Sequence, residues 1–190
     1  KVWTRGHREG IAEMEESFRL FRTDVIDLMQ IHNLVDWRTQ LDTMRGWKAE
    51  GRFRYLGYTH YRPHAFDDLM DCLRSEPVDF VQFCYSIDGL DAEDDILPFC
   101  EVNGIATLIN LPFGGGDLLS RLFREPLPAL ATELGCTTWA QYCLKYVISH
   151  PAVTCVIPGT SSPTHMADLL AAGQGILPDE TMRREMAAAF

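Results

Sequence analysis

The sequence predicts an α/β fold built on parallel strands, and three observations support this. Apolar, strand-like runs alternate with amphipathic helical segments along almost the whole chain. No turn typical of a β-hairpin joins two strands, so successive strands are expected to be parallel, with right-handed crossovers. The 190 residues are 46% hydrophobic, which is enough to bury a sizeable core. We therefore predict one domain over residues 1–190.

The elements follow from the spacing of apolar residues. Four of them in the first helical segment share one face: Ile11, Met14, Phe18 and Phe21. In chain order we predict helices at 10–22, 37–51, 64–76, 94–104, 137–150, 162–172 and 178–190, and strands at 24–32, 52–60, 78–86, 105–113 and 153–159. Gly51 and Gly104 are expected to end helices, and Ser162 and Asp179 to cap two others at their start.

Composition excludes several classes of partner. The chain has 17 basic and 27 acidic residues, a net charge of −10 and no Lys/Arg run, so we expect no nucleic acid partner. No apolar stretch approaches the roughly 20 residues that span a bilayer, so we expect no membrane partner. Six scattered cysteines without metal-ligand spacing are interpreted as small core residues, and we predict no metal site. We expect a cytoplasmic protein, with an export signal before residue 1 left open.

Polar residues follow the predicted strands where each strand ends. They are His32 and Asn33, Thr59 and His60, Gln82 with Tyr85 and Ser86, Asn110, and Gly159 and Thr160. No GxGxxG motif follows a strand, so an open dinucleotide-binding sheet is not indicated. In a closed parallel barrel these ends meet on the face that carries catalytic residues. A single such histidine is more often a core or loop residue, but five polar strand ends favour a site.

Several segments in order resemble the aldo-keto reductases. DVIDLMQIHN resembles the family's fourth strand, and KVW at the start resembles the end of its third. RYLGYTHY, VDFVQFCYS, GIATLINLPFGGG and VTCVIPGTSSPTHMADLLAA resemble later strands and the coenzyme-binding end. The resemblance implies a parallel (β/α)8 TIM barrel, of which this chain carries roughly strands 3/4 to 8 plus a C-terminal helix. About a third of the ~250 residues of a usual barrel is then expected to be missing.

The resemblance also implies catalytic residues. The family reduces aldehydes and ketones with a nicotinamide cofactor, usually NADPH, while a tyrosine gives a proton to the carbonyl oxygen. Lys1 matches the lysine that lowers the pKa of this tyrosine, and His32 matches the histidine beside the substrate carbonyl. The family's aspartate and tyrosine precede these positions in chain order. Tyr58, Tyr61 and Tyr85 do not match the proton donor.

Cofactor contacts are implied residue by residue. Thr59, His60 and Gln82 match the residues that bind the nicotinamide carboxamide, with His60 departing from the family's asparagine. Asn110 stands where many members have a stacking tyrosine, and packing from Leu111 is expected to replace it. The remaining implied cofactor-binding residues are Phe113, Gly114, Pro158, Gly159, Thr160, Ser161 and His165.

The phosphate end of the implied site leaves alternatives open. The FGGGD loop allows close approach of a pyrophosphate, but it is about equally interpretable as a flexible connector. The IPGTSSP segment precedes a helix whose start attracts phosphate, or is simply capped. Gly159 replaces a basic residue of the family, and His165 stands where arginine is frequent. Fewer positive charges are therefore expected to bind a 2′-phosphate. We expect NADPH first and NADH close behind.

Three functions compete. The first is an NAD(P)H-dependent reductase of small carbonyl compounds, with the oligomeric state open. The second is a non-catalytic, reductase-like protein that binds nicotinamide nucleotides. The third, an unrelated phosphate-binding or metal-dependent barrel, lacks a metal-spaced set of ligands, since the nearest histidine pair is His60 and His64 in a loop with proline.

Overall fold

Strands and helices alternate along the computed structural model, which describes residues 1–190. The strands are β1 (Ile26–His32), β2 (Phe53–Thr59), β3 (Phe80–Cys84), β4 (Ala106–Asn110) and β5 (Cys155–Val156). The helices are α1 (His7–Phe21), α2 (Trp37–Ala49), α3 (Phe66–Ser75), α4 (Ile96–Asn103), α5 (Asp117–Leu122), α6 (Ala129–Glu133), α7 (Trp139–Ile148), α8 (Pro163–Ala171) and α9 (Glu180–Ala187). None of these helices has the length and apolar character needed to cross a membrane.

The strands form a five-stranded sheet in which they lie in chain order. β1 pairs with β2, β2 with β3 and β4 with β5, each in parallel. A doubly wound open sheet reverses its strand order at a switch point, whereas a (β/α)8 barrel keeps chain order. The order without a reversal confirms the predicted parallel α/β fold and corresponds to part of a (β/α)8 barrel.

The segment before α1 lies beside β1 as the end of a further strand would. Val2 forms an isolated parallel bridge with Ile31. The Val2 N–H donates to the carbonyl oxygen of Gln30, and the His32 N–H donates to that of Val2, both at 2.9 Å. This arrangement agrees with the prediction that KVW ends a strand adjacent to the one that carries His32.

The chain divides into two compact units. The first unit comprises Lys1–Phe83 and Gly104–Ala106, and the second comprises Cys84–Asn103 and Thr107–Phe190. Each contains large buried side chains, such as Phe53 in the first and Tyr142 in the second. Each unit therefore has a core of its own.

In the first unit, α1 packs against α2 and the start of β2. Its buried residues are Gly10, Met14 and Phe18, and the Phe18 ring stacks on Phe53 with centroids 5.5 Å apart. A Cβ at Gly10 would lie 1.9 Å from Oε1 of Gln40, so this close approach requires glycine. The predicted apolar face is wrong at its end, because Phe21 is 70% exposed. Helix α1 faces α2 with the side that carries Gly10, and Phe21 therefore lies at the surface.

In the second unit, a network around Arg183 holds α9 against α7. Its guanidinium donates to Glu93 Oε1 at 2.8 Å, to the Tyr85 hydroxyl at 2.7 Å and to Ser149 Oγ at 2.9 Å. The Tyr146 hydroxyl donates to the same oxygen of Glu93 at 2.9 Å. The partly buried charges of Arg183 and Glu93 are thus paired and hydrogen-bonded, which offsets their loss of hydration.

All five predicted strands are longer than the observed ones, and two helices were not predicted. Only Cys155–Val156 of 153–159 pairs as β5, and Pro158 has no N–H with which to extend a ladder. β4 ends at Asn110, because Leu111 turns the chain with a left-handed φ of 49°. The short helices α5 and α6 lack the repeated apolar spacing that reveals longer ones.

The two predicted helix-ending glycines and the two predicted helix caps are confirmed. Gly51 and Gly104 have φ values of 81° and 65°, which glycine adopts most easily. Ser162 Oγ accepts a hydrogen bond from the His165 N–H at 3.3 Å, and Asp179 Oδ1 accepts one from the Met182 N–H at 2.9 Å. Side-chain oxygens at these positions satisfy N–H groups that have no partner within the helix.

Replacing Asp79 by alanine is expected to destabilise the first unit. Its Oδ2 accepts from the Leu56 N–H at 2.8 Å and from Lys48 Nζ at 2.6 Å, so the substitution removes the partners of a strand and a helix. We expect a loss of about 1.5–3 kcal/mol in the free energy of unfolding, measured with urea. The matched control is Asp27→Ala, because Asp27 pairs with Arg54 at the exposed surface and should cost less than about 1 kcal/mol. Equal losses in both variants would contradict this.

Candidate functional site

Three predicted site residues of the first unit lie side by side near the carboxyl ends of neighbouring strands. His32 of β1 is in register with Thr59 of β2, and Thr59 with Gln82 of β3. Residues in register on adjacent strands point to the same face of a sheet. Thr59 and Gln82 are 2% and 6% exposed. We call His32, Thr59 and Gln82 the polar row.

Lys1 joins the polar row through a hydrogen bond. Its Nζ donates to Oε1 of Gln82 at 2.8 Å. Burial lowers the pKa of the Lys1 ammonium from its usual value, since the charged form loses hydration. The bond occupies the amide oxygen of Gln82, whereas its amide nitrogen takes no part in it. Together, Lys1 and the polar row therefore provide a cation, a hydroxyl, an amide and an imidazole.

The His32 ring is held next to Trp3 and has a buried nitrogen without a partner. The two rings stack with centroids 4.9 Å apart. Nε2 of His32 is buried and makes no hydrogen bond. Burial, and then the positive charge of Lys1, lower the pKa of His32 below 6.5, so the ring is neutral at pH 7. A neutral imidazole can donate one hydrogen bond to an oxygen atom and accept another.

The structure does not bring His60 into the polar row. His60 follows Thr59 directly, and successive residues at a strand end point to opposite faces. It lines a separate cavity of about 740 Å³ in the first unit, together with Trp37, Arg38 and Asp68. Its Nδ1 accepts from the Arg62 N–H at 3.2 Å. Its predicted contact with the nicotinamide carboxamide thus lacks the geometric support that Thr59 and Gln82 have.

Most of the predicted site residues of the second unit line one cavity of about 610 Å³. Those that line it are Asn110, Leu111, Phe113, Pro158, Gly159, Thr160 and His165. Gly114 and Ser161 are not among its lining residues. Gly115 and Gly116 are, and they have φ values of 75° and 104°. We call this space the second-unit cavity.

Polar groups of the second-unit cavity are arranged at β4 and at the start of α8. Oδ1 of Asn110 is buried and has no hydrogen-bond partner. Thr160 Oγ1 accepts from the Ser162 N–H at 3.1 Å, and Ser162 caps α8 as predicted. The alternative of ordinary capping is therefore correct for Ser162, while a role for this helix start in binding phosphate stays a prediction.

Sequence reasoning missed Asp168, which also lines the second-unit cavity. Its carboxylate accepts from Thr138 Oγ1 at 2.9 Å and from Gln141 Nε2 at 2.7 Å, so two side chains of the α7 region hold it in place. The available signal was helical spacing, because Asp168 lies three residues after His165 and hence on the same face of α8.

The tyrosines near the predicted strand ends are engaged in bonds within the fold. The Tyr58 hydroxyl donates to the carbonyl oxygen of Glu76 at 2.9 Å, and burial raises its pKa. The Tyr85 hydroxyl belongs to the Arg183 network, and Tyr61 accepts from Arg62 Nε at 2.7 Å. None of these three hydroxyl groups therefore bonds to a residue of the polar row.

Comparison with known proteins identifies the family. The sequence profile described as "Aldo/keto reductase family" matches residues 3–188. An uncharacterized oxidoreductase of Schizosaccharomyces pombe, C215.11c, is 28% identical over 159 residues, which are 82% of this chain and 50% of that protein. The uncharacterized oxidoreductase YcsN of Bacillus subtilis is 25% identical over 162 residues, 79% of this chain and 53% of that one. The chain thus spans about half the length of the curated relatives that it matches.

Solved structures share the fold. The thermostable aldo-keto reductase Tm1743, crystallised with the inhibitor epalrestat, superimposes with a TM-score of 0.78 at 22% identity, over 100% of this chain and 69% of that one. An aldo-keto reductase of Klebsiella pneumoniae in complex with NADP and acetate gives a TM-score of 0.74 at 24% identity, over 93% of this chain and 62% of that one. Both similarities support a partial (β/α)8 barrel.

The environment of His32 predicts a loss of stability in acid. Its pKa is lower in the folded chain than in the unfolded chain, so the unfolded state binds more protons as pH falls below 6.5. Stability from His32 is therefore present above 6.5 and is lost between 6.5 and the lower folded pKa. We expect His32→Gln to reduce the slope of unfolding free energy against pH in this window. His60 and His150 act in the same direction, so part of the slope remains.

Urea unfolding at several pH values measures this slope, and proton NMR of the His32 ring measures its pKa directly. A His32 pKa at or above 6.5 in the folded protein would contradict the expectation, as would an unchanged slope in the variant.

Proposed function

Because the chain belongs to the aldo/keto reductase family, we propose that it is part of an NAD(P)H-dependent enzyme that reduces an aldehyde or ketone to an alcohol by hydride transfer. The carrying observation is the polar row, in which His32, Thr59 and Gln82 share one face at the carboxyl ends of three parallel strands. Catalytic groups of parallel barrels lie at these strand ends. The substrate is a small carbonyl compound.

His32 is proposed to orient the substrate. Its buried Nε2 lacks a partner within the chain, and an unpaired buried polar atom costs about 1–3 kcal/mol. A carbonyl oxygen would accept a hydrogen bond from a ring N–H and recover part of this cost. Lys1, already bound to Gln82, supplies a positive charge beside the reacting group and favours the anionic form of a proton-donating phenol.

In each unit by itself, the residues present fit a part of a nicotinamide dinucleotide. In the first unit, Thr59 offers a hydroxyl and Gln82 an amide N–H group to the carboxamide. In the second unit, Oδ1 of Asn110 is a buried acceptor without a partner. Gly115 and Gly116 line the second-unit cavity without side chains, which allows close approach of a pyrophosphate. When bound, the cofactor supplies the hydride. The Klebsiella relative, solved with NADP, supports this choice.

A second candidate is a protein that binds the cofactor without catalysis. The observation in its favour is that the second-unit cavity, with the unpaired Oδ1 of Asn110, offers a binding site that contains neither Lys1 nor His32. Such a protein would use the second-unit cavity and would need no proton donor. Binding without turnover distinguishes it from the reductase.

The test follows NADPH oxidation with 4-nitrobenzaldehyde by absorbance. We expect turnover by the purified protein and a decrease in kcat of about 100-fold or more for His32→Ala, because the group that orients the carbonyl is lost. The matched control is His7→Ala, at an exposed position of α1, which should retain the rate.

NADPH fluorescence, measured on the same samples, separates the two candidates. Enhanced fluorescence without turnover would favour the binding protein. Turnover that is unaffected by His32→Ala would remove His32 from the mechanism.

A further inference from the structure

The Trp3 ring that stacks on His32 belongs to a segment whose backbone is bound by side chains at the start of α2. We infer that Asp36 is a positioning residue: by binding this segment, it keeps the Trp3 ring against the His32 imidazole and so fixes the direction of the buried Nε2. The inference deepens the proposed function and rests on it, since it takes His32 as the group that orients the carbonyl.

The orientation of the His32 ring depends on packing. Its Nε2 is buried and unpaired, so no hydrogen bond at this nitrogen restricts rotation of the imidazole. A contact that does restrict it is the Trp3 ring, whose centroid lies 4.9 Å away at an interplanar angle of 27°. Trp3 is itself 61% exposed, so its place depends on where the backbone of its segment is held. Release of that backbone would free both rings.

Three side chains bind the backbone from Trp3 to Gly6. The Trp3 N–H donates to Glu13 Oε2 at 3.0 Å. The Gly6 N–H donates to Asp36 Oδ2 at 2.7 Å, and the Gly6 carbonyl oxygen accepts from Gln40 Nε2 at 3.2 Å. The segment is thus attached at both ends, and the bond to Asp36 is the shortest of the three.

Two hydrogen bonds fix the Asp36 carboxylate. Its Oδ2 accepts from the Gly6 N–H, and its Oδ1 accepts from Thr39 Oγ1 at 2.9 Å. The bond from Gly6, and then the one from Thr39, lower the pKa of Asp36 below its usual value. The carboxylate is therefore ionised at neutral pH, and an ionised acceptor forms a stronger hydrogen bond than a neutral one.

The turn that joins His32 to Asp36 has an unfavourable backbone. Three of its residues have left-handed angles that residues other than glycine rarely adopt, with φ values of 51° at Asn33, 56° at Leu34 and 47° at Asp36. Such angles persist only where the surroundings fix them, and they cluster at functional sites. Here the turn connects His32 directly to the side chain that holds the Trp3 segment.

The experiment compares Asp36→Ala with Asp36→Asn in the purified protein. Alanine removes both hydrogen bonds, whereas asparagine retains an acceptor oxygen for the Gly6 N–H. With 4-nitrobenzaldehyde, we expect kcat to fall by about tenfold in Asp36→Ala, because His32 is less often directed at the carbonyl. The fall in Asp36→Asn should be less than about threefold. Kd for NADPH, measured by fluorescence, should change by less than about twofold in both variants.

The matched control is Asp42→Ala. It removes the same charge from an exposed position of α2 and should retain the rate of the unmodified protein. Circular dichroism checks that all variants are folded.

A double-mutant cycle separates positioning from a general effect on the fold. If Asp36 acts through the Trp3 ring, Asp36→Ala should lower kcat by less than about twofold once Trp3 is already alanine. A loss of about tenfold in both backgrounds would overturn the inference, because it would show that Asp36 acts independently of Trp3.

Proton NMR of His32 follows the ring stack without turnover. The ring current of the nearby indole shifts the signals of the imidazole protons, so these signals report its presence. In Asp36→Ala we expect them to move toward their positions in Trp3→Ala, whereas Asp42→Ala should leave them unchanged.

The outcomes separate the inference from the proposed function. Unmoved His32 signals together with an unchanged kcat in Asp36→Ala would overturn the inference and leave the proposed reductase intact. If the unmodified protein shows no turnover, the proposed function fails and the His32 signals decide the positioning role: signals that move in Asp36→Ala support it, and signals that do not move overturn it.

Discussion

The parallel register of β1, β2 and β3 is the constraint on which the candidate catalytic groups depend. Backbone hydrogen bonds set this register, and a shift of one residue would turn every side chain to the other face of the sheet. His32, Thr59 and Gln82 come from positions far apart in sequence, yet the ladder brings them next to one another. His60 shows the effect of one position, because it follows Thr59 directly and its side chain points to the other face, where it lines another cavity.

Unpaired polar atoms mark both candidate sites. Nε2 of His32 and Oδ1 of Asn110 are buried without partners, and each such atom lowers stability by about 1–3 kcal/mol. The Arg183 network shows the usual alternative, in which partly buried charges and hydroxyl groups bond to one another. Nε2 of Gln30 and Oε1 of Gln40 are also buried without partners. What distinguishes His32 and Asn110 is their position at the ends of strands, which is consistent with ligand binding at their unpaired atoms.

Charge distinguishes the two candidate sites. Lys1 introduces a cation beside the polar row, where its charge adds to burial in lowering the pKa of His32. The second-unit cavity contains instead a carboxylate held by two donors. The first arrangement suits a reaction in which negative charge develops on oxygen.

The sequence by itself determined the class of the fold and most of its elements. Alternating apolar runs and helical spacing predict the parallel α/β order, and the ends at Gly51, Gly104, Ser162 and Asp179 follow from local backbone chemistry. It also indicated His32, Thr59 and Gln82 as candidate site residues, because polar residues at the end of apolar runs can be recognised from the sequence. The short helices α5 and α6 and the true length of β5 carry too weak a local pattern to be read in this way.

Only the tertiary structure decided which side chains meet. The hydrogen bond between Lys1 and Gln82 and the position of Asp168 in a cavity wall depend on contacts between residues distant in sequence. The position of His60 outside the polar row depends on the face to which the end of β2 points. The α1 face was also settled by packing, since Gly10 permits the approach of Gln40 and leaves Phe21 outside. Local patterns specify which residues can be buried, whereas burial itself depends on the neighbour that the fold supplies.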